Sequence, residues 1–595
     1  MSIFDMKFFR FLGFKKKPKA PWKKYYSKED MELEIPDISL YQHFKNNLHK
    51  YPNNIALSYF GVNFTYKEFD DKITEASKAF LNYGIRKNDV VTICMPNTPE
   101  AIIAIFALNK IGAISNMVHP LSSVNEIKHT IVETGSVMVV LIDMDYSKIK
   151  DEIEDTDVYK VILVKASDSM PTLMKIGYYL MSGRKIEQPK KNKKYVNWKD
   201  FILAGKNYHN KNYEHEASKN DPAVMLHSGG STGTPKAIVL SNGNFITLAL
   251  QANIRFDELE VGDKCLSIMP IFHGFGLGVC VYVPLCLGVN CILVPQFKPN
   301  EFDKLLTKYN PEFVIGVPTL FEALLKIPEE RKKKLNLHYL KYVISGGDSL
   351  KQSLEKDMDS FLHEHGANTR LIQGYGMSEA LAAVSLELKN VHNKRSIGIP
   401  LPSCYMGIFN SDDKEVPIGE EGEICISGPN VMLGYYNNEK ETNIALHIHD
   451  DGNVWLHSGD VGVMDKDGFI RYTSRMKRLI VSSGYNVYPN QIETLLEGHE
   501  AVLLCSVVGI PHPYKVEVPK AYIVLRKEYK KSDKLIAEFK ELCKSNLPKY
   551  AQPYEFEFRD SLPKTMIGKV DFRSLQQENN EQRQKEKLEE TQNND

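Results

Sequence analysis

The chain has 595 residues, which is too long for one hydrophobic core and predicts more than one domain. Its residues are 43% hydrophobic and 25% charged, an ordinary globular balance, and its formal net charge of zero gives it no general affinity for nucleic acid or membranes. Nine scattered cysteines form no C-x-x-C pair, which argues against a zinc site and favours a reducing cytoplasm.

The N-terminal end, residues 1–24, has a net charge of +7 from eight basic residues and one aspartate. Its apolar rings precede the basic run Lys15–Lys19, a pattern that suits the inner face of an anionic membrane. The alternative is a solvated, disordered tail. A signal peptide is not indicated, because the basic block follows the apolar part and no small-residue cleavage site comes after it. We therefore expect a tail over residues 1–36 that touches the membrane peripherally or stays in solvent.

Residues 62–164 alternate strand and helix patterns, which predicts a mainly parallel sheet covered by helices. The predicted elements are a helix from Thr65-Tyr66 through Phe80, a strand Val90–Met95, a helix Thr98–Ile111 ended by Gly112, and strands Val137–Ile142 and Val161–Val164.

Residues 266–295 carry no charged side chain and have the length of a membrane span, but Pro270, Pro284 and four glycines interrupt them. We interpret this stretch as a buried helix and strand. Further strands are predicted at Phe313–Val317 and Tyr342–Ser345, and short alternating strands at 404–429 indicate a small β-rich unit.

After about residue 475 the pattern changes to that of a separate α+β domain. Its predicted elements are strands 502–509, 520–526 and 554–559 and a helix 533–545. The polar end, 576–595, has one leucine and is predicted to be disordered, because it cannot bury enough apolar surface.

The strongest local motif is a glycine-rich loop that runs from Val224 to Lys236 and reads VMLHSGGSTGTPK. Glycines let backbone N–H groups face an anion, hydroxyls add donors and a lysine adds charge, so the loop suits a polyphosphate. It is not a Walker loop, because Pro235 stands where that motif needs glycine. A plain flexible loop is the alternative.

This loop resembles the phosphate loop of the adenylate-forming superfamily, which includes acyl-CoA synthetases, adenylation domains and firefly luciferase. Gly229-Gly230 and Ala237 depart from its usual pattern but keep the hydroxyls and the lysine. Five further stretches match the superfamily in its order and spacing. They are Pro270–Gly274 (PIFHG), Ser345–Gly347 (SGG), Gln373–Glu379 (QGYGMSE), Trp455–Asp460 (WLHSGD) and Pro563–Lys569 (PKTMIGK).

The resemblance implies ATP, Mg²⁺ and coenzyme A as ligands. It gives roles to these motif residues and to Arg475 and Lys477 of the stretch Ser474–Lys477 (SRMK). Lys236, His273 and Lys569 are the expected catalytic residues, Glu379 is the expected Mg²⁺ ligand, and Lys477 is the expected hinge between two domains. The expected nucleotide-binding residues are Ser228, Gly229, Gly230, Ser231, Thr232, Gly233, Gly347, Tyr375, Gly376, Ser378, Asp460 and Arg475. Gln491 replaces a common glutamate, which puts the role of that carboxylate in doubt.

The fold that the resemblance implies is α/β. It has a large AMP-binding domain, residues 37–474, of two mainly parallel helix-flanked sheets and a small β-barrel. A mobile α+β lid domain, residues 475–575, follows it.

The expected reaction is activation of a carboxylic acid to acyl-AMP and its transfer to coenzyme A. Glycines and apolar residues follow His273 without an acidic residue, which favours an apolar acid such as a long-chain fatty acid over an amino acid. Residues 168–200 resemble the insertion of long-chain acyl-CoA synthetases and suit loading from a membrane. The alternatives are an acyl-AMP ligase that loads a separate carrier protein, a luciferase-like oxygenase, and an inactive membrane-bound scaffold.

Overall fold

The computed structural model describes residues 13–189, 193–210, 213–228, 235–391, 393, 396–482, 485–512, 515–564 and 570–592. These residues form two units. The large unit comprises the described parts of Met1–Gly407, Cys425–His457 and Asp467–Phe469. The small unit comprises those of Ile408–Ile424, Ser458–Lys466 and Ile470–Asp595. Several segments before residue 475 therefore belong to the small unit, whereas the sequence predicts a single boundary there.

The strands are β1 (Ile55–Tyr59), β2 (Val62–Thr65), β3 (Val90–Cys94), β4 (Ile114–Val118), β5 (Met138–Ile142), β6 (Lys160–Val164), β7 (Tyr195–Asn197), β8 (Pro222–Ser228), β9 (Lys236–Ser241), β10 (Lys264–Ser267), β11 (Asn290–Leu293), β12 (Phe313–Gly316), β13 (Tyr342–Ser345), β14 (Leu371–Tyr375), β15 (Ser385–Leu386), β16 (Ile399–Pro400), β17 (Tyr405–Phe409), β18 (Glu421–Ser427), β19 (Gly434–Tyr435), β20 (Leu446–Ile448), β21 (Val454–Met464), β22 (Ile470–Arg475), β23 (Ile480–Ser482), β24 (Tyr485–Val487), β25 (Val502–His512), β26 (Val516–Leu525) and β27 (Glu555–Phe558).

The helices are α1 (Lys28–Met31), α2 (Leu40–Leu48), α3 (Tyr66–Asn82), α4 (Pro99–Lys110), α5 (Val124–Glu133), α6 (Tyr146–Glu154), α7 (Thr172–Met181), α8 (Trp198–Ala204), α9 (Asn242–Arg255), α10 (Val283–Cys286), α11 (Phe302–Tyr309), α12 (Pro318–Leu325), α13 (Glu329–Lys332), α14 (Gln352–Glu364), α15 (Glu439–Ala445), α16 (Pro489–Glu497), α17 (Asp533–Asn546) and α18 (Phe572–Gln592).

Two long sheets dominate the large unit. The eight-stranded sheet has the order β19-β9-β8-β4-β3-β5-β6-β7, and the nine-stranded sheet has the order β16-β15-β14-β13-β12-β10-β11-β1-β2. From β8 to β7 in the first sheet, and from β14 to β1 in the second, every neighbouring pair is parallel. The predicted α/β class, with mainly parallel sheets, is confirmed.

Local sequence explains where the first predicted helices begin. The Thr65 side chain accepts a hydrogen bond from the Glu68 backbone N–H and the Glu68 side chain accepts one from Thr65, a capping box that starts α3. Thr98 caps α4, and Pro99 occupies its first turn. Every residue of α4 is buried, as expected for a mostly apolar helix inside the core, although Glu100 and Lys110 are buried with the rest.

The uncharged stretch 266–295 folds as predicted into buried elements. It contains a π-helical segment, Phe275–Tyr282, followed by α10 and the parallel strand β11. In the described part of the chain, no helix is both long and apolar enough to cross a membrane.

A third sheet has the order β17-β18-β21-β20, with β22 paired to β21, and includes the predicted β-rich stretch 404–429. In the small unit, β24-β23-β26-β25 form a fourth sheet with β27 paired to β26. Buried side chains of α16, α17 and this sheet, among them Leu496 and Phe539, form one apolar core. The strands and the helix predicted beyond residue 500 are present with slightly different ends.

The described residues near both ends of the chain make contacts that the sequence does not predict. Within the predicted tail 1–36, the described residues from Gly13 onward pack on the large unit: the Phe14 ring lies 4.5 Å from that of Tyr405, and Trp22 is fully buried. At the other end, α18 extends to Gln592, where disorder is predicted from 576. Leu575 and Asn579, four residues apart on α18, are buried, and Leu575 packs with apolar side chains of β25 and β26.

Candidate active site

The ends of β8 and β9 bring the two flanks of the glycine-rich loop together. These strands are antiparallel, with Ser228 opposite Lys236. Residues 229–234, which include the predicted Gly229, Gly230, Ser231, Thr232 and Gly233, lie outside the described part of the chain. The register alone therefore places a hydroxyl and an ammonium group at the same end of one hairpin, as a phosphate loop requires.

Lys236 contacts an anion and an aromatic ring in the large unit. Its Nζ lies 2.6 Å from Glu441 Oε2 and 4.5 Å from the centre of the Tyr435 ring. The Lys236 side chain is 17% exposed, so both contacts are partly shielded from water and stronger than at an open surface. Sequence motifs did not identify Tyr435 or Glu441; their position follows from the pairing of β19 with β9.

Tyr435 also links Lys236 to the predicted magnesium ligand. The Tyr435 hydroxyl donates a hydrogen bond of 2.9 Å to Glu379 Oε1, and the Glu379 backbone oxygen accepts one from the Met432 N–H. Burial, together with the Glu379 carboxylate, raises the pKa of Tyr435 well above its usual range, so the phenol remains a donor. Tyr435 therefore contacts both groups: Lys236 lies over its ring, and the buried Glu379 accepts a hydrogen bond from its hydroxyl.

Gly274, directly after His273, brings three motifs into contact. A Cβ built on Gly274 would lie 3.3 Å from Leu226 Cδ1 in β8 and 3.4 Å from the backbone N of Ala382, three residues after Glu379. His273 thus neighbours both the phosphate hairpin and the Glu379 turn. Its own ring lies 4.8 Å from that of Phe272, which stacks at 4.0 Å on His119.

The turn that holds Glu379 is tightly packed and conformationally strained. A Cβ on Gly376 would lie 1.5 Å from the Ala382 carbonyl oxygen, so no larger residue fits there. Leu381 and Ala382 both have left-handed backbones, with φ of 46° and 73°. Such strain persists where the surroundings fix the backbone, and it is common at functional sites.

The predicted adenine-binding residues follow the carboxyl ends of parallel strands. Ser345, the last residue of β13, lies opposite Gly316 of β12 and Gln373 of β14. A Cβ on the next residue, Gly346, would lie 3.1 Å from the Phe275 ring and 3.5 Å from the Gly374 carbonyl oxygen. Gly347, Tyr375 and Ser378 therefore lie at one edge of the nine-stranded sheet, where parallel α/β sheets commonly bind ligands.

In the small unit, the predicted ribose-binding pair is a cross-strand ion pair. Asp460 of β21 lies opposite Arg475 of β22, and the Arg475 Nε donates to Asp460 Oδ1 over 2.9 Å. Asp460 is buried, whereas the Arg475 side chain is 56% exposed and can reach a second group. Lys477 lies in the short helix Met476–Arg478, its side chain undescribed, and Lys569 lies outside the described residues.

Arg478, which belongs to none of the sequence motifs, anchors the segment after Arg475. Its guanidinium pairs with Glu493 of α16, bonds Asn490 Oδ1 at 2.9 Å and lies 4.8 Å from the centre of the Phe572 ring. Glu493 also accepts a 2.7 Å hydrogen bond from the Val507 N–H. Glu493 is thus the carboxylate that holds Arg478 and β25 together in this part of the small unit.

The site combines a hairpin that carries Lys236, the buried Glu379 linked to it through Tyr435, and strand ends followed by glycines. Together these features define a nucleotide-binding protein of the α/β class. The sequence profile of the AMP-binding enzyme family matches residues 44–436, and that of the AMP-binding enzyme C-terminal domain matches residues 491–569. The chain belongs to this family, as the sequence analysis predicts.

Relatives of similar sequence extend over almost the whole chain. A long-chain-fatty-acid--CoA ligase of Bacillus subtilis is 31% identical over 572 residues, covering 94% of this chain and 98% of the relative. One of Haemophilus influenzae is 31% identical over 557 residues, covering 91% and 94%. These are names of acid–thiol ligases, the enzyme class that the motifs predict.

Solved structures share the fold at lower identity. ATP-bound MatB from Rhodopseudomonas palustris superposes with a TM-score of 0.77 at 22% identity and covers 91% of this chain and 98% of its own. The anthranilate CoA ligase AuaEII in complex with anthranoyl-AMP gives a TM-score of 0.77 at 20% identity, covering 92% and 98%. The predicted architecture is confirmed by these neighbours.

Proposed function

We propose that this chain is an AMP-forming acyl-CoA synthetase that activates a long-chain fatty acid with ATP and transfers the acyl group to coenzyme A. The observation that carries the proposal is the row Lys236–Tyr435–Glu379, with the His273-Gly274 motif packed beside it. The names of the relatives, at 30–31% identity over most of the chain, support the long-chain substrate and coenzyme A.

In the first step a carboxylate oxygen of the acid bonds to the α-phosphorus of ATP, and the bond to pyrophosphate breaks. Two anions approach each other, so positive charge placed at the site before reaction lowers the barrier. We assign this role to Lys236 and Lys569. Lys236 would exchange its contact with Glu441 for the nucleotide's phosphates, while Tyr435 keeps a fixed dipole beside it.

Glu379 suits the magnesium ion that accompanies ATP. Its Oε1 accepts from the Tyr435 hydroxyl, and a carboxylate has lone pairs left for a hard cation, which prefers oxygen ligands. Magnesium, when bound with ATP, neutralises charge on the phosphates. The hydrogen bond from Tyr435 would hold the Glu379 carboxylate in one orientation.

The surroundings of His273 favour an apolar acyl group. The segment Gly274–Tyr282 has no charged residue, and its π-helical part is buried except at its first position. A Cβ on Gly278 would come within 2.9 Å of Leu248 Cδ2, so glycine lets this segment pack closely against apolar side chains. A neutral pocket of this kind would not stabilise the ammonium group of an amino acid.

In the second step the thiol sulfur of coenzyme A attacks the acyl carbonyl carbon, AMP leaves, and the thiol proton passes to solvent. AMP is a good leaving group, so no catalytic triad is needed. We propose that the lid domain, residues 475–575, turns about Lys477 between the steps and carries Lys569 away. A carrier-protein thiol is the alternative acceptor.

Lys569→Ala tests whether Lys569 acts in the first step of the reaction and not in the second. The variant should lose pyrophosphate release but still convert added acyl-AMP to acyl-CoA, because Lys569 acts only in the first step. Lys549→Ala, an exposed lysine of the same unit, is the matched control and should behave as wild type. Unchanged pyrophosphate release by Lys569→Ala would refute the assignment.

We further propose that the protein takes its fatty acid from an anionic membrane surface. Residues 1–12, the start of the basic N-terminal segment, lie outside the described residues, but α7 offers a second contact. None of its ten residues is buried, and Leu173 and Met181 are 85% and 77% exposed. Exposed Lys175, Arg184 and Lys185 accompany this apolar surface and would meet lipid phosphates.

Co-sedimentation of the full chain with phosphatidylglycerol vesicles tests this contact. Deletion of residues 1–12 and the double change Leu173→Asp with Met181→Asp should each reduce binding. Leu121→Asp, which alters a leucine elsewhere that is 74% exposed, should not. Equal binding by all variants would rule out the proposed surface.

A further inference from the structure

Three histidines share one face of the hairpin formed by β20 and β21. The strands are antiparallel, with His447 opposite Trp455. Side chains two residues apart on a strand, and those directly opposite each other, point to the same side of a sheet. His449, which follows β20, and His457 of β21 are therefore on the face of His447 and Trp455.

The imidazole rings are close enough to bind one ion. A ring nitrogen from each of the three histidines lies within 4.8 Å of the others, and the Nε2 atoms of His449 and His457 are 3.0 Å apart. Two nitrogens bound to one tetrahedral zinc ion at 2.0–2.1 Å are separated by about 3.3 Å. The His449–His457 spacing is within a few tenths of an ångström of that value, and a His447 ring nitrogen lies within 4.8 Å of both.

Neighbouring side chains fix the orientation of these rings. His449, which is 6% exposed, lies nearly parallel to the Trp455 indole at 5.7 Å, and the His447 and His457 ring centres are 4.0 Å apart. Cys425 Sγ lies 3.6 Å from Nδ1 of His457, on the side of the ring away from Nε2. A polar partner at the second nitrogen is how metal-binding histidines are usually oriented.

We propose that His447, His449 and His457 bind one divalent transition-metal ion, with zinc as the best fit and water completing the coordination. Neutral imidazole suits zinc, nickel and cobalt, whereas calcium and magnesium prefer oxygen. The site is thus chemically distinct from the magnesium assigned to Glu379. Metal binding would tie β20 to β21 and stabilise the folded hairpin.

The direct test is metal binding by untagged, full-length protein after removal of metals with a chelator. Titration with Co²⁺ should give visible ligand-field absorption that saturates near one equivalent, and Zn²⁺ should displace it. His449→Asn and His457→Asn should each weaken zinc binding at least about tenfold, because loss of a ligand costs no less than loss of a second-sphere partner. His338→Asn, an exposed histidine elsewhere, should bind as wild type.

A thermal melt separates a binding defect from a folding defect. Zinc should raise the melting temperature of wild type and His338→Asn but not that of His449→Asn or His457→Asn, and all should melt alike in chelator. If His449→Asn does not fold, the more exposed His447→Asn and His457→Asn decide the question. Equal zinc affinity in wild type and in a His447→Asn, His457→Asn double variant would overturn the proposal.

Discussion

Gly376→Ala should damage catalysis out of proportion to the single methyl group it adds. The new Cβ would lie 1.5 Å from the Ala382 carbonyl oxygen, whereas real Cβ contacts essentially never fall below 3.0 Å. The backbone at residue 376 and the Ala382 carbonyl group must therefore move apart by about 1.5 Å, which is the difference between these two distances. The displaced turn contains Glu379, and a misplacement of about 1 Å costs roughly 100-fold in rate. We expect kcat/KM for pyrophosphate release to fall by about that factor, or about 2.7 kcal/mol.

The assay measures pyrophosphate release with ATP and a fatty acid, beside a thermal melt of each variant. Gly177→Ala is the matched control, because a Cβ there meets nothing within 4 Å and Gly177 lies in the exposed helix α7. It should keep full activity and melt no lower than wild type, since alanine favours a helix over glycine. A Gly376→Ala protein with wild-type kcat/KM would refute the reasoning about this turn.

Two further predictions concern charged groups. Lys236→Ala should lower kcat/KM for ATP by about 10²- to 10³-fold. Glu441→Gln removes only the carboxylate that contacts Lys236 in the absence of ATP, so its kcat/KM should stay within about tenfold of wild type. Equal losses in the two variants would assign the pair a purely structural role. Burial raises the pKa of Glu100 to about 7 from an ordinary 4.5, so this carboxyl costs stability as pH rises through that interval. The free energy of unfolding of Glu100→Gln should therefore exceed that of wild type by up to about 3 kcal/mol at about pH 8, and the two should be equal near pH 4.5. A difference in melting temperature that does not change with pH would contradict this.

Sequence patterns predicted the fold well where a local signal was strong. Capping residues Thr65 and Thr98 mark helix starts that the structure confirms, and the apolar runs at 90–95 and 137–142 are parallel strands as expected. Pairing between distant segments carries no such signal. Tyr435 and Glu441 reach Lys236 only because β19 pairs with β9, and neither belongs to a recognisable motif.

The contacts at the ends of the chain and in the histidine cluster were likewise not predicted from the sequence. Composition predicted disorder from 576, but α18 extends to Gln592, with Leu575 packed against apolar side chains of β25 and β26 and Asn579 buried. Cysteine spacing argued against zinc, yet three histidines converge through the register of β20 with β21. Such a site depends on strand pairing, so linear spacing alone does not identify it.

The measurement that tests the central claim most directly is pyrophosphate release by the full-length protein across long-chain, aryl and amino acids, with and without coenzyme A. We predict release with long-chain acids that turns over repeatedly only when coenzyme A is present and yields acyl-CoA and AMP. Adenylate that forms but is not discharged by coenzyme A would contradict the assigned acceptor and indicate a carrier protein. No release with any acid would contradict the account of Lys236, Glu379 and Lys569 as catalytic machinery.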